Sequence, residues 1–286
     1  MCFALPIGMA LFIAGKPWTG IIVYIDFLYG ANEWIVAFLL LVLMLAVNEA
    51  GFRLGRHAES RTTEKTRSEI SVVAGSVVGV LGLLLGFTMS MAVARFEARK
   101  QLVLDEANAI GTSYLRTQLL PAPDGPEIAS LLSDYVNLRV EYARVDQDFD
   151  RLKTIRRQVA RVQNEFWVRA VAYAQKDPDP VRAGLILQSL NQVIDLEAAR
   201  WMTFLNRVPA SVIYVNAIVA LLAMNLVGYA FGVSGRRQVF SACLLAVAIS
   251  VVLAVILDLD RPRQGFIHVS QQPMIDLQDQ LRSVKQ

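Results

Sequence analysis

The sequence predicts an all-α membrane protein with four transmembrane helices, two before and two after a helical soluble segment. Hydrophobic residues make up 55% of the 286-residue chain and charged residues 19%, whereas soluble domains usually carry about 25% charge. Four apolar runs are free of charge over most or all of a membrane-spanning length. The charges are concentrated in the middle: residues 95–207 hold 16 Lys or Arg and 15 Asp or Glu of the 53 charges. Because this segment is nearly neutral and the net charge is +3, we expect no nucleic-acid partner.

The first 33 residues are apolar, with Lys16, Asp26 and Glu33 as their charged residues. No basic region precedes the apolar stretch, as a signal peptide requires. The segment 1–33 is interpreted as an interfacial helix, with a fifth span interrupted by Lys16 or an upstream leader as the alternatives.

Two helix pairs are predicted to cross the lipid bilayer, at 34–94 and 208–258. A span needs about 20 mostly apolar residues for a bilayer core of roughly 30 Å. Charge-free runs cover 34–48, 70–94, 208–235 and 238–257, and the first reaches full length with a few flanking residues. The two short loops carry seven positive charges, and the opposite side carries eight near span ends, so the positive-inside rule gives no orientation.

The soluble segment 95–207 shows helical periodicity and is followed after the last span by a tail at 259–286. We expect the second span to continue as one helix through Leu119 and a last helix to run from Val181 to Asn206 directly into the third span. Proline-rich breaks at 121–126 and 177–180 separate the helices between them. From Ile128 to Phe166 apolar residues recur every three or four positions, which is typical of packed helices. This stripe is either a core seam within one subunit or a seam between subunits.

No pattern in the sequence indicates catalysis, a cofactor or a metal. His57 and His268 stand alone, and Cys2 and Cys243 lie in apolar surroundings without metal-ligand spacing. There is no nucleophile elbow, phosphate-binding loop or zinc-binding HExxH helix. We therefore expect that the protein is not an enzyme.

Glycines recur every four residues in the second span, as two pairs: Gly75 with Gly79, and Gly82 with Gly86. Small residues at this spacing let helix backbones approach closely inside lipid. The glycines indicate either packing against another span of the same chain or a position around the axis of an oligomer.

Polar residues follow these glycines at the end of the second span. Thr88 and Ser90 are candidates to line a pore, because their hydroxyls can coordinate ions. Five charged residues beyond them are predicted to lie at the pore mouth: Arg95, Arg99, Lys100, Asp105 and Glu106. The cations would draw anions, while the acidic pair could instead bind a cation or pair with Arg99. At the end of the fourth span, a salt-bridged helix stop is the simplest interpretation of Asp258, Asp260, Arg261 and Arg263.

Four motifs carry a resemblance to a known family: Leu83–Ser90 (LLLGFTMS), Asp105–Thr112 (DEANAIGT), Leu257–Gly265 (LDLDRPRQG) and Val269–Pro273 (VSQQP). Over roughly 49–277 the chain resembles a bacterial membrane family of unknown function that is termed bestrophin-like. Bestrophins are pentameric anion channels with four spans per subunit and a helical cytosolic part. The resemblance implies a homo-oligomer, with a pentamer as the candidate assembly, in the bacterial cytoplasmic (inner) membrane.

The same resemblance implies that the second span lines the pore, with Phe87 at an apolar constriction. The implied pore-lining residues are Gly79, Leu83, Gly86, Phe87, Thr88 and Ser90. The cluster Asp258, Asp260, Arg261 and Arg263 lies where animal bestrophins bind calcium, which makes it a candidate gating or cation-binding site.

The sequence therefore favours a homo-oligomeric, anion-selective ion channel that contacts lipid, inorganic ions and copies of itself. The alternative is a non-conducting membrane scaffold or sensor whose helical soluble domain binds a partner.

Overall fold

The computed structural model describes residues 33–145, 148–177, 179–261 and 265–284. Within these ranges the chain forms eight α-helices and a short 3-10 turn at Glu59–Arg61, and no strand. The helices are α1 (Glu33–Ala58), α2 (Glu64–Thr117), α3 (Asp124–Arg144), α4 (Phe149–Ala174), α5 (Pro180–Leu205), α6 (Ala210–Val233), α7 (Val239–Asp260) and α8 (Gln272–Val284). The all-α prediction is confirmed. The interfacial helix predicted for 1–33 lies outside the described residues, apart from the first residue of α1.

The membrane half contains α1, the first half of α2, α6 and α7. Four helical segments of the described chain are long and apolar enough to cross a membrane, and each of them includes one of these helices. Their shared core contains Met44, Leu81, Met224 and Leu253, which are all buried. The arrangement confirms the prediction of four spans, two on either side of the soluble segment.

The closest helix contact in the membrane half joins α1 to α6, which run parallel. A Cβ added at Gly51 would lie 2.1 Å from the carbonyl oxygen of Asn225, and one at Gly228 would lie 2.1 Å from that of Asn48. Two side-chain amides also cross the contact: Asn48 Nδ2 donates to the carbonyl of Met224 at 2.8 Å, and Asn225 Nδ2 donates to Val47 at 3.2 Å. Glycine is therefore required on both helices for the backbones to approach this closely.

The soluble half packs the second half of α2 against α3, α5 and α8, and α4 against α3 and α5. Ile128, Tyr135, Ile155 and Phe166 are fully buried in one continuous core. The apolar stripe predicted from Ile128 to Phe166 is thus a seam within one subunit. The stripe is interrupted, because α3 ends at Arg144 and α4 begins at Phe149.

The chain does not pass from the soluble half into the third span as a single helix, so the predicted continuous helix is wrong. Helix α5 ends at Leu205, residues 206–209 are not helical, and α6 begins at Ala210. Pro209 disfavours helical geometry at Val208, the residue before it. The backbone N–H of Val208 is satisfied instead by the Asp260 carboxylate, whose two oxygens lie 2.9 and 3.0 Å away. In contrast, α2 is continuous as expected and ends at Thr117, two residues before the predicted end.

Candidate functional site

One face of α2 is exposed along almost the whole 54-residue helix, from the membrane half into the soluble half. Its residues recur every three or four positions, which places them on one side of a helix. We call this surface the open face of α2; it comprises Val72, Ser76, Gly79, Leu83, Gly86, Phe87, Ser90, Ala94, Glu97, Gln101, Leu104, Asn108, Thr112 and Leu115. A surface that continues from lipid depth into the soluble half suits contact with further copies of the same helix.

The predicted pore-lining residues fall on the open face with one exception. Gly79, Leu83, Gly86 and Ser90 are exposed, and Phe87 is 64% exposed. A Cβ added at Gly75, Gly79, Gly82 or Gly86 would meet no atom within 4 Å. The interpretation that these glycines pack against another span of the same chain is therefore wrong, because the intramolecular glycine contact is formed between α1 and α6 instead.

The exception is Thr88, which is buried between α2 and α6. Its hydroxyl donates to the carbonyl of Leu84 at 2.8 Å and accepts a hydrogen bond from Asn216 Nδ2 at 2.9 Å. The placement of Thr88 in the pore lining does not hold for this chain, since the hydroxyl joins two spans. Both Asn216 and Asn225 thus donate to a neighbouring membrane helix through their side-chain amides.

Arg99 is likewise turned inward and does not lie at an open mouth. Its Nη1 donates to the carbonyl of Leu259, its Nη2 donates to that of Asn206, each at 3.1 Å, and Nη2 lies 3.6 Å from Asp260 Oδ1. One guanidinium thus joins α2 to the α5–α6 connection and to the end of α7. We call this arrangement the Arg99 clamp. The half-buried Arg95 adds to it by donating to the side chain of Asn206.

Glu106 is fully buried, so it too does not lie at an open pore mouth. Arg139 Nε lies 2.9 Å from its Oε1, Arg139 Nη2 donates to its Oε2 at 3.1 Å, and the Tyr135 hydroxyl donates to Oε1 at 2.6 Å. Arg200 also donates to Oε2. This group, the Glu106 cluster, joins α2, α3 and α5 within the soluble core.

The Glu106 cluster changes the acidity of its members. Burial raises the pKa of the Tyr135 hydroxyl, and the adjacent Glu106 carboxylate raises it further. Burial alone would lower the pKa of Arg139, but the Glu106 carboxylate outweighs that effect and raises it. The cluster therefore holds its arginine charged and its tyrosine neutral.

Two of the predicted mouth residues do remain accessible. Lys100 is exposed and lies 3.6 Å from Glu97, which belongs to the open face. Asp105 is half-buried and accepts a hydrogen bond from Gln101 at 2.9 Å. The accessible charges on and beside the open face are thus of both signs.

The two carboxylates at the end of α7 bind different backbone segments. Asp258 accepts hydrogen bonds from the N–H groups of Phe266 and Ile267, at 2.8 and 3.1 Å, and Asp260 binds Val208. Gly265 has φ +117°, and a Cβ there would lie 1.7 Å from Asp258 Oδ1. Asp258 thus holds the chain after α7 in place, while Asp260 holds the connection between α5 and α6.

The other two members of the predicted cluster are arginines. Arg261 is buried, and Arg263 lies outside the described residues. Among the residues the structure describes, no three His, Cys, Asp or Glu side chains are grouped to hold a metal ion.

A cavity lies at the membrane-proximal end of the soluble half, between the Arg99 clamp and the Glu106 cluster. It has a volume of about 320 Å³ and is lined by α2, α3, α5 and the tail before α8. Sequence reasoning did not identify it, because Arg99, Arg139 and Arg200 come together only through long-range packing. No spacing pattern links them along the chain.

Comparison with known proteins agrees with this architecture. Residues 38–274 match the model of the Bestrophin-like domain family. The solved structure of a variant of a bacterial bestrophin homolog from Klebsiella pneumoniae is 15% identical, with a TM-score of 0.64 over 87% of this chain and 98% of its own. Another structure of the Klebsiella pneumoniae homolog is 16% identical, with a TM-score of 0.61 over 86% of this chain and 97% of its own. At these identities the similarity shows the fold alone.

Among curated proteins, none matches the chain. The family model nevertheless spans most of the sequence and includes α2, the Arg99 clamp and the Asp258 loop. The chain belongs to the Bestrophin-like family.

Proposed function

We propose that this protein is a homo-oligomeric ion channel in which α2 of each subunit surrounds a central pore. The observation that carries the proposal is the open face of α2, which stays uncovered across both halves of the subunit. In the membrane half it presents glycines with open space beside them. In the soluble half it still presents Leu104 and Leu115, and Leu115 is 63% exposed. Apolar side chains in water favour burial against another chain, so a closed ring of α2 helices would cover them.

Phe87 is proposed as the narrow apolar part of this pore. It follows Leu83 by one helical turn on the open face and is followed in turn by Ser90. An apolar ring limits ion passage by excluding water, and a neighbouring hydroxyl replaces part of the hydration shell. Family membership supports a transport role of this kind rather than catalysis.

The accessible charges near the pore mouth balance one another. Of the three cations on which anion selectivity depended, Arg99 is buried. Lys100 remains exposed beside Glu97, and Asp105 is half-exposed nearby. Arg95 is half-buried and keeps its positive charge, because its partner Asn206 is a neutral amide. Two cations thus accompany two carboxylates in each subunit, so the mouth charges favour neither sign, and we propose the anion selectivity that the family resemblance implies.

Planar-bilayer recording from the purified protein under a KCl gradient tests the proposal. We expect single-channel currents that reverse towards the chloride potential. Reversal near the potassium potential would contradict the proposed selectivity, while keeping the channel. Absence of current from protein shown to be folded and oligomeric would refute the channel and favour the non-conducting scaffold or sensor.

A pair of phenylalanine substitutions tests the position of the pore. Phe87→Ala is expected to raise the conductance, since it widens the apolar constriction. Phe240→Ala is the matched control, because Phe240 is 80% exposed but lies at the start of α7, away from the open face. Equal conductance of the two variants in an active channel would remove Phe87 from the pore.

The subunit number and the membrane remain proposals that follow from the family. A pentamer in the bacterial cytoplasmic membrane is the expected form. Mass determination of the complex in native membrane particles distinguishes five subunits from other rings.

A further inference from the structure

The 320 Å³ cavity at the membrane-proximal end of the soluble half has the size and composition of a ligand site. Pockets that hold small molecules usually range from about 300 to 1,000 Å³ and combine apolar walls with a few convergent polar groups. This cavity is lined by three arginines and three aromatic residues: Arg99, Arg139, Arg200, Tyr142, Trp201 and Phe204. It lies in the soluble half, apart from the open face of α2.

The three arginines differ in the hydrogen-bonding capacity that they leave for a ligand. The guanidinium of Arg99 is occupied by backbone carbonyls of the clamp, and Arg200 donates to Glu106 and, at 3.0 Å, to Gln271. Arg139 binds Glu106 through Nε and Nη2. Its Nη1 makes no hydrogen bond to any group in the described part of the chain, and Glu197 Oε1 lies 3.8 Å away, beyond hydrogen-bond distance.

Arg139 Nη1 can donate a hydrogen bond to an acceptor group of a ligand inside the cavity. Arg139 is 5% exposed, so an anion bound to Nη1 would be shielded from water and strongly attracted. Of the charged side chains lining the cavity, three are cationic and one, Glu197, is anionic. The carboxylates of Glu106 and Asp260 also pair with these arginines, so the choice of a monoanion follows from the donor capacity of Arg139 Nη1 and not from an excess of positive charge.

The aromatic residues of the cavity indicate the chemistry of the other end of the ligand. The rings of Trp201 and Phe204 stack with centroids 5.6 Å apart, and Arg156 covers the Trp201 ring at 3.7 Å. Arg139 lies 5.4 Å from the centre of the Tyr142 ring. Rings held in this way form a rigid apolar wall, which suits a flat or aliphatic body rather than a bare inorganic ion.

We propose that this cavity binds a small organic monoanion, in which a carboxylate contacts Arg139 and an apolar body lies against Trp201 and Phe204. The proposed site does not overlap the proposed pore lining, because it uses residues of the soluble half that do not belong to the open face. The ligand would contact both the Arg99 clamp and the Glu106 cluster, which places it beside the ends of three membrane helices.

Calorimetric titration of the full-length protein in detergent tests this site with benzoate as the probe. Benzyl alcohol is the neutral comparison and inorganic phosphate the comparison without an apolar body. We expect benzoate to bind at least about tenfold more tightly than either, a difference of about 1.4 kcal/mol. This comparison is made on the unaltered protein and requires no variant. Failure of benzoate to bind, or equal binding of phosphate, would overturn the proposal.

Filling the cavity tests its location. Ala143 lines it from α3, and Ala143→Leu is expected to weaken benzoate binding by at least about tenfold, since the added carbons occupy ligand volume. Ala160→Leu on the exposed side of α4 is the matched control. If the folded Ala143 variant binds benzoate as tightly as the control, the ligand lies elsewhere and the assignment of this cavity is wrong.

Discussion

Replacing Gly228 by Ala tests the glycine contact between α1 and α6, where the structure allows the clearest estimate of a cost. The new Cβ would lie 2.1 Å from the carbonyl oxygen of Asn48 and 2.9 Å from its carbonyl carbon. Both atoms belong to the backbone, so a side-chain rotation cannot relieve the overlap. The two helices must separate, which also stretches the 2.8 Å hydrogen bond from Asn48 Nδ2 to Met224. Overpacking of this kind costs about 1–3 kcal/mol.

The protein is unfolded in mixed micelles by increasing amounts of SDS. Unfolding is monitored as the loss of the helical circular dichroism signal and of compactness. Gly184→Ala is the control, because Gly184 lies in α5 and a Cβ there meets no atom within 4 Å. That change should raise the stability by about 0.5–1 kcal/mol, since alanine loses less backbone entropy in a helix. The same substitution is thus expected to act with opposite signs at the two positions. A Gly228→Ala protein that is as stable as the original would refute the close approach of α1 and α6.

Three further changes test the soluble half and the tail. Glu106→Gln should destabilise the protein by about 3–5 kcal/mol in the SDS unfolding assay, because it leaves the buried Arg139 and the half-buried Arg200 without their carboxylate. Glu97→Gln, which alters an exposed pair, should cost at most about 1 kcal/mol in the same assay. Gly265→Ala should loosen the loop that Asp258 binds, which limited proteolysis would detect as new cleavage after α7. Hydrogen bonds from Arg182 and Tyr173 lower the pKa of Asp177, so its stabilisation is complete above the unfolded pKa of about 3.9 and is lost as the pH falls through the lower folded value. Asp177→Asn should therefore lower the unfolding midpoint at neutral pH, and its difference from the original protein should shrink in acid; a difference independent of pH would contradict this role.

The spans could be predicted from the sequence because lipid imposes a strong constraint on composition. A helix that crosses a bilayer must avoid charge over about 20 residues, and such runs are visible without knowledge of any partner. The break between α5 and α6 was harder to predict. Pro209 was visible, but a proline is tolerated in the first turn of a helix, so its presence does not distinguish a new helix from a continuing one. The carboxylate that satisfies Val208 comes from Asp260, 52 residues away.

The role of each glycine could not be predicted from spacing alone. Gly51 and Gly55, Gly75 and Gly79, and Gly228 and Gly232 all recur after four residues. In lipid, every face of a helix is apolar, so composition does not reveal which face meets a neighbour. Only the register of α1 against α6 assigns Gly51 and Gly228 to the intramolecular contact, and leaves Gly79 on the open face.

The charged residues of α2 illustrate the same limit in the soluble half. Glu97, Arg99, Lys100, Asp105 and Glu106 all look like a polar helix surface in the sequence. The helical period of 3.6 residues nevertheless places them on different faces of α2. Arg99 and Glu106 are seven residues apart and face inward, while Glu97 and Lys100 face outward. The buried pair could be recognised only through its partners on α3, α5 and α7, which a single sequence does not connect to α2.

This division of α2 into two faces has a consequence for how the proposed pore could respond to events in the soluble half. The inward face fixes the helix through the Arg99 clamp to the α5–α6 connection and the end of α7, whereas the outward face carries the proposed pore lining. Any change in the clamp would move the α2 backbone near Arg99, about three helical turns beyond Phe87 by sequence distance. Because a long helix transmits displacement along its axis more readily than it bends, a ligand beside Arg99 and a constriction at Phe87 would be coupled through one rigid element. The coupling requires both proposals to hold, and it is reciprocal: opening the constriction would change the affinity of the cavity by the same factor as the ligand changes the opening.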